Sequence, residues 1–465
     1  MVRTTEVFTP NRTPTFTSVD RSKLSRKLDD YIDQGGAFVS VLGTTKLGKS
    51  TLIKSAMTSA SFHAYIPGQN LIDGVSALWG RLAADLGIPT STTTGKVVGN
   101  KSRWSFFAKF NLPGIGAGAE GGGEHSVDNS NDMTYDQDAP SAVAFALSTL
   151  AVEARRLDKS PPVIVIDDFH FVTSADTRRE LIWALRTVTD NDCGVILATL
   201  PGRESEEAFG GTQVGGRHYP VTVPIWGEDE LREIATTGFE VLKVTASPGL
   251  IDKLVEQSYG SPHLMQQLCL NLCRDVNGVR DDSSPGRVLQ APEDWAEFFR
   301  EVRDPHSVSW LEKLGIGLKA RNPRKVKAEV GGRELDGYQL ILWALHQLGA
   351  PSEVEFVAVR TFIAGLPGVT VAVARFALEQ KARNMNVLAS REMSQALERH
   401  GTQTLEEADE ADEADHFTEE EVRVAGLIPQ PVFEVVGTHA ADMKVRILDP
   451  LLAYTLAWHP DTFAR

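Results

Sequence analysis

The residues best suited to chemistry form a glycine-bounded run that ends in a lysine and a serine. Residues 43–50 fit the pattern G-x-x-x-x-G-K-[ST], between an apolar, β-branched run and a helical pattern. Glycines let backbone N–H groups converge on phosphate oxygens, and the following helix N-terminus favours an anion. In such a loop Lys49 contacts the β- and γ-phosphates, and the Ser50 hydroxyl is a ligand of Mg²⁺. The predicted nucleotide-binding residues are Gly43, Thr44, Thr45, Lys46, Leu47, Gly48, Lys49, Ser50 and Thr51.

Two carboxylates follow the continuous apolar run PVIVI at 162–166. An acid at the end of a buried strand can hold magnesium through water, which makes Asp167 the predicted metal-side carboxylate. Asp168 is placed to orient or polarise the attacking water. The alternative is that the two acids cap a helix that starts in this loop. His170, two residues further on, is either a site residue or a residue that packs locally.

The next apolar run, GVILATL at 194–200, also ends in a polar residue. In open α/β folds ligands bind at the carboxyl ends of the strands, so Thr199 is a candidate to sense the γ-phosphate or the attacking water. The alternative is an ordinary strand-ending threonine. Arg203 and Arg217 lie in the loops that follow, and Arg217 is a candidate to reach the nucleotide of a neighbouring subunit. A solvated loop charge is the alternative for each arginine.

These side chains require a sheet whose strands alternate with helices. Strands that read as unbroken apolar runs predict a parallel sheet that is covered by helices on both faces. We therefore predict an α/β core, followed by a helical region beyond Trp226. Ser141 is the predicted N-cap of the helix before PVIVI. Gly, Asn and Asp dominate the segment at about 89–140, where we expect a mobile insertion.

Composition narrows the class of protein further. The chain has 465 residues and a net charge of −15, from 62 acidic and 47 basic residues. No apolar stretch approaches the roughly 18 residues that cross a bilayer, so we expect no membrane protein and a cytoplasmic location. The three cysteines, Cys193, Cys269 and Cys273, have no metal-ligand spacing, and we predict that they are buried apolar residues. Acidity argues against a generally basic surface for nucleic acid, but it does not exclude a local basic patch.

Three helical patterns and a hairpin pattern occupy the C-terminal region. The helices are predicted at 338–348, 353–363 and 371–385, and the hairpin joins VFEVV to MKVRIL. This order resembles a winged helix, whose third helix offers Arg375, Lys381 and Arg383 for DNA. A charge-neutral winged helix is alternatively a protein-interaction module. Lys and Arg at 319–327 form a second candidate contact for DNA phosphates, and a charged hairpin or linker is the alternative. The acidic run within about 405–421 is predicted to be a solvated loop.

Taken together, the motifs resemble those of the AAA+-related P-loop ATPases of the STAND and origin-recognition type. The matching stretches are VDR at 19–21, GTTKLGKST, VIVIDDFH, GVILATLPGR and VTVPIWGEDELREI, and the resemblance covers about residues 15–280. A further match is YGSPH at 259–263, which looks like the G-x-P element of STAND lids. The resemblance implies a P-loop NTPase sheet with a helical lid. It also implies that ATP binds between core and lid, with Pro262 and His263 reporting the nucleotide state.

We therefore expect an ATP-hydrolysing molecular switch that couples Mg-ATP to homo-oligomerisation or to binding of an effector protein. Antiphage defence, stress signalling and a transcription- or replication-linked role are the settings that the resemblance implies. The alternative is a DNA-binding ATPase that acts as a regulator or loader. A small-molecule kinase is disfavoured by the helical lid. The predicted domains are an N-terminal arm (1–35), an ATPase core (36–226), a lid with a basic linker (227–335) and a winged-helix-like domain (336–465).

Overall fold

The chain divides into two compact units. Residues 21–42 and 49–223 form one, here called the sheet unit, and residues 1–20, 43–48 and 224–465 form the other, here called the lid unit. The computed structural model describes residues 1–57, 60–88, 139–172, 174–200, 216–283, 285–320, 327–367, 369, 371–389, 415–416, 432–437 and 442–463. Arg203, most of the glycine-rich segment, the bases at 321–326 and nearly all of the acidic run lie outside the described residues.

Five parallel strands form the sheet of the sheet unit, in the order β2-β3-β4-β1-β5. They are β1 (Phe38–Leu42), β2 (His63–Pro67), β3 (Val163–Asp167), β4 (Gly194–Thr199) and β5 (His218–Thr222). Every residue of β3 and β4 is buried, because both faces of these central strands are covered. The edge strand β5 is only partly buried.

Helices flank this sheet in two packed groups. One group contains α2 (Ser22–Asp33) and α3 (Lys49–Ala56), which contact each other. The other contains α4 (Val75–Leu86), α5 (Ala139–Arg156) and α6 (Ala175–Asp190). The prediction that Ser141 caps α5 is wrong, because the helix already begins at Ala139, and Pro140 is compatible with its first turn.

The lid unit begins with residues 1–20 of the predicted N-terminal arm, which include α1 (Thr4–Val7). The other helices of its first half are α7 (Glu228–Val241), α8 (Pro248–Glu256), α9 (Pro262–Asn271), α10 (Trp295–Glu301) and α11 (Pro305–Ile316). Val7 and Phe8 are fully buried in one apolar cluster with α7, α8 and α9. The arm is therefore an integral part of the helical core, and the Phe8 ring packs edge-on against Phe239 at 5.7 Å.

Three helices and a small antiparallel sheet form the C-terminal region around a second apolar core of this unit. The helices are α12 (Gly337–Gln347), α13 (Phe356–Ala364) and α14 (Val371–Ala389), followed by α15 (Pro450–Trp458). The short strands are β6 (Lys319–Ala320), β7 (Lys327–Val330), β8 (Arg333–Asp336), β9 (Glu353–Glu355), β10 (Asp415–His416), β11 (Phe433–Val436) and β12 (Lys444–Ile447). Strands β11 and β12 form the predicted hairpin, and β9 adds a third strand to the sheet of this winged-helix-like domain.

One predicted helix in this region is partly wrong. Residues 353–355, expected at the start of a helix, form β9 and pair with β12. Lys444 contacts the carboxylates of both Glu353 and Glu355, at 2.8 and 3.1 Å. Two acids at a spacing of two residues can share one cross-strand partner only in a strand, where alternate side chains lie on the same face.

The three cysteines were predicted to be buried. All three are buried and free, as predicted, and burial raises the pKa of Cys193 to about 12.

Among the residues that the structure describes, no helix is both long and apolar enough to cross a membrane. The sheet topology and the order of elements confirm the predicted α/β P-loop NTPase fold with a helical lid and a winged-helix-like C-terminal domain.

Candidate nucleotide and metal site

The predicted phosphate loop has the backbone that such a loop needs. It follows β1, and two of its residues have positive φ, Lys46 at 60° and Gly48 at 83°. Left-handed residues turn successive N–H groups toward one side, which favours an anion. The Thr45 hydroxyl is buried and has no hydrogen-bond partner within the described parts of the chain. The Leu47 carbonyl accepts a 2.9 Å hydrogen bond from the Trp226 indole.

Lys49 is the first residue of α3. Its side chain ends in an ammonium group, yet the residue is only 6% exposed. Burial lowers its pKa to about 8, while Asp168 and Asp167 act in the opposite direction. A buried cation beside two carboxylates is stabilised further by any anion that binds next to it. The environment of Lys49 therefore fits the predicted role of a phosphate ligand.

Asp167 is the centre of a network of hydrogen bonds at the carboxyl end of β3. Its Oδ2 accepts a 2.6 Å hydrogen bond from the Ser50 hydroxyl and another from the Tyr65 hydroxyl. Its Oδ1 accepts the backbone N–H of Asp168 at 3.0 Å. The structure thus joins the two residues predicted to serve the metal, through a side-chain contact that spans 117 positions of sequence.

These oxygens fit a hard cation such as Mg²⁺, which binds few protein carboxylates and keeps waters and phosphate oxygens as its other ligands. Among the described residues, no group of three or more His, Cys, Asp and Glu side chains is arranged to hold a metal. The Ser50 hydroxyl and the Asp167 carboxylate fit a Mg²⁺ ion whose remaining ligands are waters and phosphate oxygens.

Asp168 differs from Asp167 in both backbone and exposure. It is left-handed, with φ of 52°, and 43% of its side chain is exposed. The loop after β2 lies directly against this turn, since a Cβ at Gly68 would come within 2.4 Å of the Asp168 carbonyl oxygen. His170 is fully buried, with Nδ1 3.8 Å from Asp168 Oδ1 and its ring stacked on Phe171. The exposed carboxylate of Asp168 suits proton transfer, whereas His170 packs beneath it.

Thr199 lies at the carboxyl ends of the strands, whereas Arg217 lies at their amino ends. Thr199 is buried at the carboxyl end of β4, between β1 and β3, and it is paired with Leu42. Arg217 precedes β5 at the amino edge, where its carbonyl accepts the Phe38 N–H and its side chain contacts Asp190 at 3.1 Å. The structure brings Thr199 to the same edge as Asp167, but it does not bring Arg217 there.

The lid element YGSPH makes a tight turn at the start of α9. Tyr259 and Gly260 both have positive φ, at 50° and 69°. The Ser261 hydroxyl accepts the N–H of Leu264, and Pro262 is in the first turn, so the sequence defines the helix start as expected. His263 donates from Nδ1 to the Pro10 carbonyl at 2.7 Å, and burial lowers its pKa. In this structure His263 holds the N-terminal arm.

Trp226 connects the phosphate loop with the lid element inside the lid unit. Its indole donates to Leu47, and its backbone N–H donates to the Gly260 carbonyl at 3.1 Å. A Cβ added at Gly48 would be in ordinary contact with the indole ring, at 3.9 Å. In the sequence Trp226 marks only the boundary between core and lid, because nothing in its neighbours along the chain indicates these distant partners.

Two of the bases predicted to face DNA from α14 have internal partners. The Lys381 side chain is buried, and its ammonium lies 5.2 Å from the centre of the Tyr338 ring. Arg383 contacts Glu379 at 3.0 Å and donates to the Gly437 carbonyl. Side chains at 371–377, including Arg375, lie outside what the structure describes. The described bases of this helix therefore stabilise the domain and do not form an open basic surface.

Comparisons with known proteins give no family model that matches the chain and no matching curated protein. Solved structures do match over nearly the whole length. The Walker-type ATPase PABY2304 of Pyrococcus abyssi is 13% identical, with a TM-score of 0.48, over 97% of this chain and 99% of that one. Cdc6p from Pyrobaculum aerophilum is 12% identical, with a TM-score of 0.39, over 98% and 99%. The Orc1 protein of Aeropyrum pernix, solved with DNA, is 12% identical with a TM-score of 0.40, over 98% and 96%.

Proposed function

We propose that the chain is a P-loop ATPase of the AAA+-related type that binds and hydrolyses Mg-ATP and acts as a molecular switch. The observation that carries this proposal is the 2.6 Å hydrogen bond from Ser50 to Asp167. It links the serine of the phosphate-loop motif with the acid at the end of a buried strand. A purely structural loop gives no reason for these two residues, far apart in sequence, to meet beside a buried lysine.

Each site residue has a distinct task in this proposal. The loop N–H groups and Lys49 bind the phosphates, and Mg²⁺, when bound, neutralises part of their charge. The Ser50 hydroxyl would bind the metal directly, and the Asp167 carboxylate would hold it through water. Asp168, whose carboxylate is partly exposed, accepts a proton from the attacking water. Thr199, at the neighbouring strand end, is placed to hydrogen-bond the water or the γ-phosphate.

The switch part of the proposal rests on the lid unit. Trp226 bonds to the phosphate loop through its side chain and to the lid element through its backbone, so a change in the loop is transmitted to Gly260 and to the start of α9. A nucleotide shifts such an equilibrium only through contacts that differ between the two states. We propose Pro262 and His263 as reporters of this change and a homo-oligomer or an effector protein as the receiver.

Arg217 belongs to the same proposal as a residue that acts on a neighbouring subunit. Its side chain is 58% exposed and forms a surface ion pair with Asp190. Such exposed ion pairs contribute little to stability, so the arginine can exchange this partner for another. DNA binding receives less support, because Lys381 and Arg383 are engaged inside their own domain. A cytoplasmic protein of antiphage defence or stress signalling is the biological setting that we propose from the resemblance of the motifs.

Replacing Lys49 with alanine tests the proposal. Loss of a charge-assisted contact of about 1.5–3 kcal/mol predicts ATP binding weaker by about 10- to 100-fold. Binding of a fluorescent ATP analogue, ATP hydrolysis, and molar mass by light scattering with and without ATP measure the effect. Lys23→Ala, at an exposed position of α2, is the matched control. A wild-type chain that binds no ATP, or a Lys49→Ala variant that binds it equally well, contradicts the proposal.

A further inference from the structure

The Tyr65 side chain is the one member of the Asp167 network that the motifs do not account for. Tyr65 lies on β2 and pairs with Val165 of β3, two residues before Asp167. Paired residues of parallel strands, and alternate residues of one strand, share a face of the sheet. Tyr65, Val165 and Asp167 are therefore on one face, with the phenol aligned along the strand toward the carboxylate.

The hydroxyl of Tyr65 donates to Asp167 Oδ2, the same oxygen that accepts the Ser50 proton. The other oxygen, Oδ1, accepts the Asp168 N–H. The three donors lie on α3, on β2 and in the turn after β3. Together they fix both the position and the rotation of the Asp167 carboxylate. Without the phenol, Asp167 would keep the donors of Ser50 and Asp168 but would lose the restraint from β2.

The phenol is itself held in place. The Lys54 ammonium lies 5.1 Å from the centre of the Tyr65 ring, and Lys54 follows Ser50 by one helical turn on α3. A carboxylate oxygen can only accept, so the Tyr65 hydroxyl is the donor of its bond to Asp167. The ring is also only half-buried, so apolar packing alone does not explain a tyrosine here.

We propose that Tyr65 is a positioning residue that holds Asp167 in the orientation needed to bind the metal that accompanies the nucleotide. This inference rests on the proposed function, because it assigns a metal–nucleotide complex to the same site. Partners of metal-binding carboxylates typically change metal affinity by about 10- to 100-fold when they are removed. The hydroxyl acts through Asp167 and does not itself contact nucleotide.

Tyr65→Phe tests the proposal, with Mn²⁺ as a spectroscopic substitute for Mg²⁺. In the presence of a non-hydrolysable ATP analogue, Mn²⁺ binding followed by electron paramagnetic resonance is expected to weaken by about 10- to 100-fold. Binding of the same analogue in EDTA is expected to stay within about twofold of wild type, because the metal-free contacts do not involve Tyr65. Tyr219→Phe is the matched control. Tyr219 lies on the edge strand β5 and its ring stacks on Tyr31 of α2, so the substitution should change neither quantity.

Other outcomes overturn the proposal in distinguishable ways. Unchanged Mn²⁺ affinity in Tyr65→Phe would make the hydroxyl dispensable, and tighter binding would mean that the phenol competes with the metal for Asp167. If Tyr65→Phe unfolds, Lys54→Met loosens the ring without removing the hydroxyl, and it should weaken Mn²⁺ binding by a few-fold. An unchanged Mn²⁺ affinity in that variant would also contradict the proposal. A wild-type chain that binds no Mn²⁺ with the analogue refutes the proposed function itself, and Tyr65 loses its role with it.

Discussion

The carboxyl edge of the sheet and the lid element use polar residues in different ways. At the sheet edge, Ser50, Tyr65 and Asp167 bond to one another, while the Asp168 carboxylate stays partly exposed. In the lid element, His263 bonds to the backbone of the N-terminal arm. The first region presents oxygens that a ligand can use, and the second uses its polar atoms to join segments of the chain.

This difference separates the expected effects of substitution. Changes at the sheet edge should alter turnover with little effect on folding, because the residues there bond to one another at the end of the strands. Changes in the lid and arm should alter the free energy of unfolding, because Phe8 and its neighbours are fully buried in the helical core. A large loss of stability from a change at the sheet edge, or a loss of turnover from a change in the buried core of the lid unit, would contradict this distinction.

The largest expected effect is on turnover, from Asp168→Asn. Loss of a general base costs about 10²- to 10⁴-fold in rate, so kcat for ATP hydrolysis should fall by that factor while ATP affinity stays nearly constant. Asparagine tolerates the left-handed backbone of Asp168, so the unfolding midpoint should not change. Steady-state hydrolysis assays and thermal unfolding measure the two quantities.

Asp192→Asn is the matched control for that variant. Asp192 is also a left-handed aspartate, with φ of 60°, and its contact with Arg155 is exposed on both sides. Exposed ion pairs contribute little, so neither turnover nor stability should change appreciably. Full activity in Asp168→Asn would remove Asp168 from the proposed mechanism and leave Asp167 as the only acid with a role.

The second effect is on stability, from Gly238→Ala in α7. Alanine normally stabilises a helix interior by up to about 1 kcal/mol over glycine. Here the added Cβ would meet atoms of the Phe8 ring at 2.3 and 2.4 Å, so overpacking should instead destabilise the chain by about 1–3 kcal/mol. Urea unfolding measures the difference, and kcat of the folded protein should be unaffected.

Two further variants test the cause of that loss. Gly249→Ala in α8 has nothing within 4 Å of the added Cβ and should not destabilise. Combining Gly238→Ala with Phe8→Leu relieves the clash, so the double variant should lose less than the sum of the two single losses. A stabilised Gly238→Ala variant would mean that the N-terminal arm is not packed on α7.

The sheet edge was predictable from sequence because its signals are local. The phosphate-loop pattern and the strand-ending acids each lie within one short segment, and parallel strands bring their carboxyl ends to one edge. Tyr65 was missed because only the pairing of β2 with β3 shows its relation to Asp167. The available signal was the hydroxyl of Tyr65 between the apolar residues Ala64 and Ile66.

The lid was predictable as helices but not as a set of contacts. Pro262 and Ser261 define the start of α9 from local rules, whereas the partner of His263 lies 253 positions away. The same limit explains β9, because Glu353 and Glu355 read as part of a helix until Lys444 is placed opposite them. Local propensity predicts an element, and tertiary pairing decides which side chains meet.

The smallest effect is expected from Trp226→Phe, which tests whether the bond between Trp226 and the phosphate loop contributes to ATP binding. Phenylalanine keeps an aromatic ring beside Gly48 but loses the N–H donor to Leu47, a bond of about 0.5–1.5 kcal/mol. ATP affinity should therefore weaken by about two- to tenfold, measured by titration with a fluorescent ATP analogue. Trp458→Phe is the matched control, because it loses an equivalent 2.9 Å bond to Gln257 and should leave ATP affinity unchanged. If Trp226→Phe changes only the unfolding free energy, as Trp458→Phe should, Trp226 is a packing residue and the lid element must sense nucleotide by another route.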